Sequence, residues 1–501
     1  MKKIVFTSLL LCIPVFVWGQ KQEKKEHPNI IVILADDMGW GDVGFNESNS
    51  KIPTPHLDGL AGQGMVFSDA HSGASVCTPT RYGILTGRHC WRSRLKYGVL
   101  HASSGPLIEE GRLTLPQIFH DKGYATACFG KWHLGMGLPF QNGVRPKTKN
   151  QKKLIQALDW RGKVDPSPNA YGFDAFFGIT VANPFLIVEN DHFYGTCVRV
   201  QRKKVSDDPL KTLKLDELLP EVERRAISFI EARKGSEDPF FLYLPLTAPH
   251  TPIAPSAAFL GKSPLGPYGD FCMQVDSVVG NVLQALQRSG LEKDTLLIFT
   301  ADNGCAPYVG VRDFEKKGHF PSGPYRGYKA DIFEGGHRVP FIVRWPGKVR
   351  AGTRNAEPIC LTDLMATFAE IIGADLPDTA AEDSLSILPA FLGTQGAAPI
   401  HEAMIHQSIN GSLSIRQGRW KLERCADSGG WSEPRPKTRG NKGVVPASSD
   451  PESVQLYDLA ADPAERKNVS REFPEVVQRL TNLLEKYQRS GRSVKKRNHR
   501  G

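Results

Sequence analysis

A cysteine followed closely by a proline and an arginine is the most chemically distinctive feature of the sequence. Cys77 opens the segment CTPTRYGILTGR, in which Pro79 and Arg81 come two and four residues later. Pro79 predicts a helix that begins near Cys77, where backbone N–H groups and the helix dipole favour a thiolate. Arg81 adds positive charge one turn further on. Cys77 is therefore a candidate nucleophile, whereas a single cysteine is otherwise usually buried and inert.

Two acidic motifs offer oxygen ligands for a metal ion. Asp36 and Asp37 follow one unbroken apolar run, and Asp302 and Asn303 follow another. If both runs are parallel strands, their carboxyl ends meet at one edge of a sheet. Hard oxygen donors suit Ca²⁺ or Mg²⁺. Each motif alone fits a helix cap or a turn equally well, so the prediction depends on their pairing.

Three further segments place cationic or titratable side chains after apolar runs. Lys131 and His133 are two residues apart, so they face one side if the chain there is extended. His250 lies in the proline-stiffened sequence PHTP, and Lys329 precedes the glycine-containing sequence FEGG. Taken singly, these residues read as surface lysines and packed histidines.

The elements that must position these residues indicate an α/β fold. Apolar, β-branched runs alternate with helical patterns, which favours a doubly wound domain whose large central, mostly parallel sheet is sandwiched by helices. The runs are Asn29–Leu34, Tyr124–Phe129, Phe240–Leu244 and Leu296–Thr300.

The pattern changes after about residue 350. Short strand-like pieces joined by Gly418 predict a hairpin, and an amphipathic helix follows near the end of the chain. This predicts a smaller C-terminal α+β domain with a short antiparallel sheet. The pieces are Leu413–Gln417, Arg419–Leu422, Val454–Leu459 and Glu475–Tyr487.

The 501 residues therefore divide into four predicted parts. Residues 1–20, with Lys2 and Lys3 before a short apolar run, are typical of a bacterial signal peptide, so we expect a secreted or periplasmic protein without stable membrane insertion. A lipid anchor on Cys12 is disfavoured because no small residue precedes it. Residues 28–350 form the predicted catalytic domain, 351–488 the smaller domain and 489–501 a basic, disordered tail.

The distribution of charge and of cysteines argues against two classes of protein, those that bind nucleic acid and those that bind zinc through thiolates. The net charge is +10, but much of the excess lies in short solvated segments and no aromatic-interleaved basic stripe is present, so nucleic acid is not an expected partner. The nine cysteines lack the paired spacing of a thiolate zinc site. An anionic substrate, such as a polyanionic sugar, remains compatible with the charge.

These motifs resemble one known family. The pattern C-x-P-x-R with L-T-G-R at residues 77–88, together with GKWHLG at 130–135 and DNG at 302–304, is similar to the type I, formylglycine-dependent sulfatases of the alkaline-phosphatase superfamily. The resemblance, which is arylsulfatase-like, extends from Asn29 to about Tyr487. Thr80 stands where the family often has serine, a small departure.

The resemblance implies a modified nucleophile and a metal ion. A separate formylglycine-generating maturase would oxidise Cys77 to 3-oxoalanine (formylglycine), whose hydrate supplies the attacking oxygen. One Ca²⁺ per chain would be bound by the modified Cys77 and by four oxygen ligands, namely Asp36, Asp37, Asp302 and Asn303.

The resemblance also implies roles for the remaining residues. Lys131 and Lys329 would bind the sulfate group, and Arg81 would orient the formylglycine. His250 would contact substrate and protonate the departing alcohol, and His133 would be the base that breaks down the sulfated diol.

The expected activity is hydrolysis of sulfate esters, with sulfated carbohydrate (glycosaminoglycan, mucin or algal glycan) as the substrate class. Two alternatives stay open: a phosphodiesterase or phosphonate monoester hydrolase of the same superfamily, and a non-catalytic glycan-binding protein on a sulfatase scaffold. Segments 159–197 and 305–326, with Glu334, His337 and Arg338, are possible parts of a sugar pocket or are structural.

Overall fold

A computed structural model describes residues 27–148, 150–181, 186–198, 210–436 and 453–496. The predicted leader at residues 1–20 and the last part of the basic tail, residues 497–501, lie outside these ranges. The strands in chain order are β1 (Asn29–Ala35), β2 (Met65–Phe67), β3 (Ala70–His71), β4 (Ala125–Lys131), β5 (Ala175–Ile179), β6 (Leu186–Glu189), β7 (His192–Val198), β8 (Lys211–Lys214), β9 (Phe240–Pro245), β10 (Thr295–Ala301), β11 (Phe341–Arg344), β12 (Thr353–Asn355), β13 (Ile359–Cys360), β14 (Met404–Gln407), β15 (Leu413–Gln417), β16 (Trp420–Glu423) and β17 (Gln455–Asp458).

The α-helices surround these strands. In chain order they are α1 (Pro55–Gln63), α2 (Cys77–Thr86), α3 (Leu115–Asp121), α4 (Gln151–Ala157), α5 (Leu215–Glu231), α6 (Pro267–Ser289), α7 (Val311–Lys316), α8 (Glu334–His337), α9 (Leu364–Ile371), α10 (Leu388–Leu392) and α11 (Pro474–Ser490).

The large sheet has eleven strands, in the order β12-β2-β11-β10-β1-β9-β4-β5-β6-β7-β8. Its centre, β10-β1-β9-β4-β5, is parallel throughout, while β11 and β6 continue the sheet as antiparallel neighbours. All seven residues of β1 are buried, as expected for an apolar strand covered by helices on both faces. The predicted fold class is confirmed.

The predicted smaller sheet is also present. Strands β14 to β17 form a four-stranded antiparallel sheet in sequence order, and α11 packs its apolar face against it. Gly418 joins β15 to β16 with a φ of +57°, a left-handed conformation that glycine adopts without strain. The domain boundary at residue 350 stays a prediction, and β12 just beyond it still pairs with β2 of the large sheet.

None of the helices in the described ranges is long and apolar enough to cross a bilayer.

Candidate active site

The carboxyl ends of four adjacent parallel strands bring the predicted site residues to one edge of the large sheet. Asp36 and Asp37 come directly after β1, Asp302 and Asn303 directly after β10, and Lys131 is the last residue of β4. These strands are consecutive with β9 between β1 and β4, so the side chains that follow them converge. The pairing of the two acidic motifs, on which the metal prediction depended, is therefore observed.

Possible metal-ligating side chains form two clusters that share Asp36. One ligand atom each from Asp36, Cys77 and Asp302 lies within 4.8 Å of the others, and the same holds for Asp36, Asp37 and His250. Asn303 Nδ2 donates to Asp37 Oδ1 at 2.8 Å. The three carboxylates are fully or almost fully buried, which is costly unless cations compensate them.

Three cations supply that compensation. Lys131 Nζ donates to Asp36 Oδ2 at 2.6 Å, and Lys329 Nζ donates to Asp37 Oδ1 at 2.5 Å. Arg81 donates to Asp302 Oδ2 through Nε and Nη2, at 3.0 and 2.7 Å, and holds the carbonyl of Lys131 through Nη1. Each carboxylate of the site thus has its own cation.

These pairs shift the pKa values of the carboxyl groups in opposite directions. Burial alone would raise the pKa of Asp36, but Lys131, with His250 and Arg81, holds that pKa well below its usual value. Burial and the neighbouring Asp36 charge raise the pKa of Asp302 to about 7, against the opposing effect of Arg81. Asp36 is thus the better anionic ligand before any metal ion adds its own charge.

Cys77 stands where the sequence predicted it, as the first residue of α2. Its side chain is buried, and burial raises the pKa of its thiol even though Lys131 and Lys329 oppose that rise. The unmodified cysteine is therefore a poor thiolate nucleophile. The helix start places the side chain at the site without activating its sulfur, so direct thiolate attack is not supported.

The two predicted histidines make different contacts. His133 donates from Nε2 to the carbonyl of Leu100 at 3.0 Å, and among the residues that the structure describes its buried Nδ1 has no hydrogen-bond partner. His250 donates from Nδ1 to the carbonyl of Thr251 at 2.5 Å, and its Nε2 lies 3.7 Å from Asp37. Burial and the charge of Lys131 lower the pKa of both rings, that of His250 to about 4. Both imidazoles are neutral near pH 7, and each keeps one bare nitrogen.

Three of the six non-glycine residues with positive φ in the described ranges lie at the same place. Asp37 has a φ of +70°, His133 of +57° and Ala330, next to Lys329, of +83°. Non-glycine residues adopt such angles rarely, and they persist at functional sites where surrounding contacts hold them. The backbone here is held in a conformation that serves the position of the side chains.

The donor set fits a hard divalent cation. The acidic residues Asp36, Asp37 and Asp302 offer carboxylate oxygens, and the buried Asn303 Oδ1 has no hydrogen-bond partner among the described residues. Ca²⁺ takes six to eight oxygen ligands of this kind. The three carboxylates and the three cations cancel formally, so a bound divalent ion would leave the site net positive and attractive to sulfate.

The sequence did not single out two aromatic residues that lie beside the site, Tyr308 and Trp431. Tyr308 is 53% exposed and packs 5.7 Å from Trp431, measured between ring centroids. Burial raises the pKa of its phenol to about 12, and the nearby charge of Lys329 opposes that rise. Trp431 donates its backbone N–H to Asp331, two residues after Lys329. Tyr308 falls in the segment 305–326 considered for a sugar pocket, but Trp431 comes from a stretch that reads only as an irregular loop.

Of the two alternatives left open for three other residues, contact with a sugar or a structural role, the structure agrees with the structural one. Glu334, His337 and Arg338 are buried, and they form ion pairs and hydrogen bonds in a separate cluster with Lys421. Their polar character in the sequence reflects this internal network and not contact with substrate.

Comparison with known proteins agrees with this geometry. The sequence profile of the Sulfatase family matches residues 28–374, which is more than half of the chain. The chain belongs to the sulfatase family. It is a hydrolase of sulfate esters on the large α/β scaffold of that family.

Relatives of this sulfatase match over nearly the whole chain. It is 34% identical to an N-acetylgalactosamine-6-O-sulfatase of Bacteroides thetaiotaomicron, over 93% of this chain and 94% of that protein. It is 30% identical to the N-acetylgalactosamine-6-sulfatase of Mus musculus, over 92% of this chain and 86% of the relative. A solved sulfatase structure from a study of glycosaminoglycan metabolism in Bacteroides thetaiotaomicron superposes with a TM-score of 0.77 at 32% identity, covering 93% of this chain and all of that one.

Proposed function

We propose that this sulfatase hydrolyses sulfate esters of carbohydrates through Cys77, oxidised to formylglycine, with one Ca²⁺ bound by Asp36, Asp37, Asp302 and Asn303. The observation that carries the proposal is the convergence of the Cys77 side chain with three carboxylates and three cations in one buried site. Oxidation answers the difficulty that the buried thiol has a raised pKa, because the modified residue attacks through oxygen.

The cations of the site are positioned for sulfuryl transfer. This reaction resembles phosphoryl transfer, in which most of the rate comes from positioning and from fixed positive charge around the equatorial oxygens. When bound, Ca²⁺ would supply Lewis-acid charge at the sulfate oxygens. The ammonium groups of Lys131 and Lys329 contact the adjacent carboxylates of Asp36 and Asp37. Arg81 holds Asp302 close to Cys77 by hydrogen bonds to its carboxylate.

The two histidines divide the proton transfers. His133, neutral and with a bare Nδ1, is the base that accepts a proton from the modified residue when sulfate leaves. His250 contacts the substrate and delivers a proton to the leaving alcohol oxygen from Nε2. Since the pKa of free His250 is about 4, its protonation depends on the negative charge of bound sulfate, which raises that pKa.

Sugar recognition is assigned to the aromatic wall formed by Tyr308 and Trp431. Their rings stand at the exposed side of the site, and aromatic faces pack well on the apolar faces of sugar rings. The relatives named for N-acetylgalactosamine 6-sulfate make that sulfated sugar the first substrate to test. We further propose maturation by a formylglycine-generating enzyme and export through the leader at residues 1–20.

The test compares matched esters after co-expression with such a maturase. We expect sulfate release from N-acetylgalactosamine 6-sulfate, a smaller rate on the 4-sulfate, and loss of activity after chelation that Ca²⁺ restores. Peptide mass analysis should find the aldehyde at position 77. Faster cleavage of an aryl phosphate than of the matched aryl sulfate would favour the phosphoesterase alternative, and an unmodified Cys77 would favour the non-catalytic one.

A further inference from the structure

Three buried histidines from different parts of the chain meet away from the proposed active site. His71 ends β3, His337 ends α8 and His406 lies on β14 of the smaller sheet. All three are 0% exposed. One ring nitrogen from each lies within 4.8 Å of the other two, and the rings of His337 and His406 stack with centroids 4.0 Å apart.

The outer nitrogens of two of these rings are already occupied. His71 Nε2 donates to Asp69 Oδ1 at 2.6 Å, and His337 Nε2 donates to the carbonyl of Ile332 at 3.1 Å. With the protons there, the two Nδ1 atoms face each other as lone pairs only 2.9 Å apart. Metal-binding histidines typically have this arrangement, in which the second nitrogen donates to a carboxylate or carbonyl.

The third histidine makes no hydrogen bond within the described part of the chain. Neither Nδ1 nor Nε2 of His406 has a partner there, although the ring is fully buried. Leaving buried polar groups unsatisfied costs free energy, so an unpartnered ring in the interior points to a ligand. Burial lowers the pKa values of all three histidines, which keeps the rings in the neutral form that binds metals.

The surrounding charges are balanced enough to accept a cation. Arg338 pairs with Asp69 and Glu334, at 2.8 and 2.7 Å, and Lys421 pairs with Glu465 at 2.6 Å. Glu334 Oε2 lies 3.9 Å from His71 Nε2, so carboxylate charge adjoins the histidines as well.

We propose that His71, His337 and His406 bind a divalent transition metal ion, with zinc as the first choice, in a buried structural site separate from Cys77. Neutral imidazoles suit zinc, copper or nickel, whereas Ca²⁺ prefers oxygen ligands. Zinc binds imidazole nitrogen at about 2.0–2.1 Å. The rings of His337 and His406 are stacked with planes only 8° apart, so one of them must tilt for both to point a nitrogen at the same ion. The ion would join β3, α8 and the smaller sheet.

The close approach of His71 Nδ1 and His337 Nδ1 has a second explanation, a hydrogen bond between the two rings. Lys421 Nζ lies 3.2 Å from His337 Nε2 and can donate to it, which would move the proton of His337 to Nδ1, facing His71. That arrangement satisfies two of the histidines but leaves His406 unpartnered. Metal content distinguishes the two explanations.

The experiment uses the full chain, depleted of metals by a chelator and then given Zn²⁺ in the presence of excess Ca²⁺. We expect tightly held zinc by elemental analysis and a raised Tm. His406→Phe keeps a stacking ring but removes the nitrogens, so it should lose the zinc and the zinc-dependent rise in Tm. His120→Gln, at the exposed surface, should behave as wild type.

X-ray absorption at the zinc edge of the wild-type protein should show three imidazole nitrogens, and this measurement stands even if His406→Phe does not fold. Equal zinc in His406→Phe and wild type, or no tightly held zinc in wild type, would overturn the proposal. Neither readout depends on sulfatase activity, so failure here is separable from failure of the proposed function.

Discussion

At the scale of single residues, the site works by placing each anion against its own cation. Three ion pairs in the site are buried away from water: Lys131 with Asp36, Lys329 with Asp37 and Arg81 with Asp302. Charges interact more strongly in such an interior than they do in water. We propose that, when a metal ion binds the carboxylates, the lysine ammonium groups contact sulfate oxygens. The same side chains would then stabilise the buried acids and bind the substrate.

Removing one of these lysines should therefore lower the rate more than it disturbs the fold. We expect Lys131→Ala to reduce kcat/KM about 100-fold, the usual effect of deleting one electrostatic contact to a transition state. Sulfate release measured by ion chromatography gives the number. Lys316→Ala, at an exposed position, is the matched control and should be neutral; equal activity in both variants would contradict the assigned role.

A second residue-scale prediction concerns stability against pH. His401 Nε2 lies 2.7 Å from Asp363, and although burial opposes it, this carboxylate raises the pKa of His401 above 6.5. A histidine whose pKa is higher in the folded state than in the unfolded state stabilises the fold. This stabilisation is complete at pH values below the pKa of the unfolded state, and it is lost as the pH rises through the pKa of the folded state. His401→Gln should therefore lower the free energy of unfolding more at pH 6 than at pH 9. A loss that is equal at both values in denaturant titrations would refute the pairing.

At the scale of elements, close strand packing fixes the positions of the reactive ends. Gly130, one residue before Lys131, has a φ of +131°, and a Cβ there would lie 1.9 Å from the carbonyl oxygen of Pro245 on β9. The chain can pass at this distance only because the side chain is absent.

Gly130→Ala should displace the end of β4, with a cost of about 3 kcal/mol and a marked loss of activity. Gly59→Ala is the control, because a Cβ on this glycine of α1 meets nothing within 4 Å and alanine favours helix. We expect calorimetry to show a lowered Tm for the first variant and an unchanged or raised Tm for the second. A Gly130→Ala protein as stable as wild type would contradict the packing argument.

Much of the fold could be predicted from the sequence because its signals are local. The four apolar runs became β1, β4, β9 and β10, and the cysteine motif became the start of α2. No local sequence pattern predicts that Trp431 lies beside the site. Its position depends on a backbone hydrogen bond to Asp331, 100 residues away. The internal role of Glu334 and Arg338 could not be read locally either, because besides their mutual ion pair Glu334 pairs with Lys421 and Arg338 with Asp69, both distant in the chain.

At the scale of the whole molecule, the C-terminal part completes the site formed by the large sheet. Asp331 accepts hydrogen bonds from the backbone of Trp431 and Ser432, at 2.7 and 3.0 Å. Lys329 and the aromatic wall are thus joined through one short segment. We propose that the segment between β16 and β17, which carries Trp431, supports substrate recognition as well as stability.

Breaking this link should separate recognition from chemistry. In Asp331→Ala, the segment carrying Trp431 loses its anchor, so we expect a higher KM for the sugar sulfate and a smaller effect on kcat for a small aryl sulfate. Steady-state kinetics on both substrates measures the difference. Asp313→Asn, at the surface, is the control; an equal loss of kcat on both substrates would show that Asp331 acts on the catalytic groups themselves.

Hydrolysis in isotopically labelled water would show whether an oxygen atom at the oxidised Cys77 attacks sulfur. Mass spectrometry of the products after many turnovers should find the heavy oxygen in the sulfate and none in the released sugar, and Cys77→Ala should show no turnover. Label in the sugar hydroxyl, or undiminished turnover by Cys77→Ala, would rule this attack out.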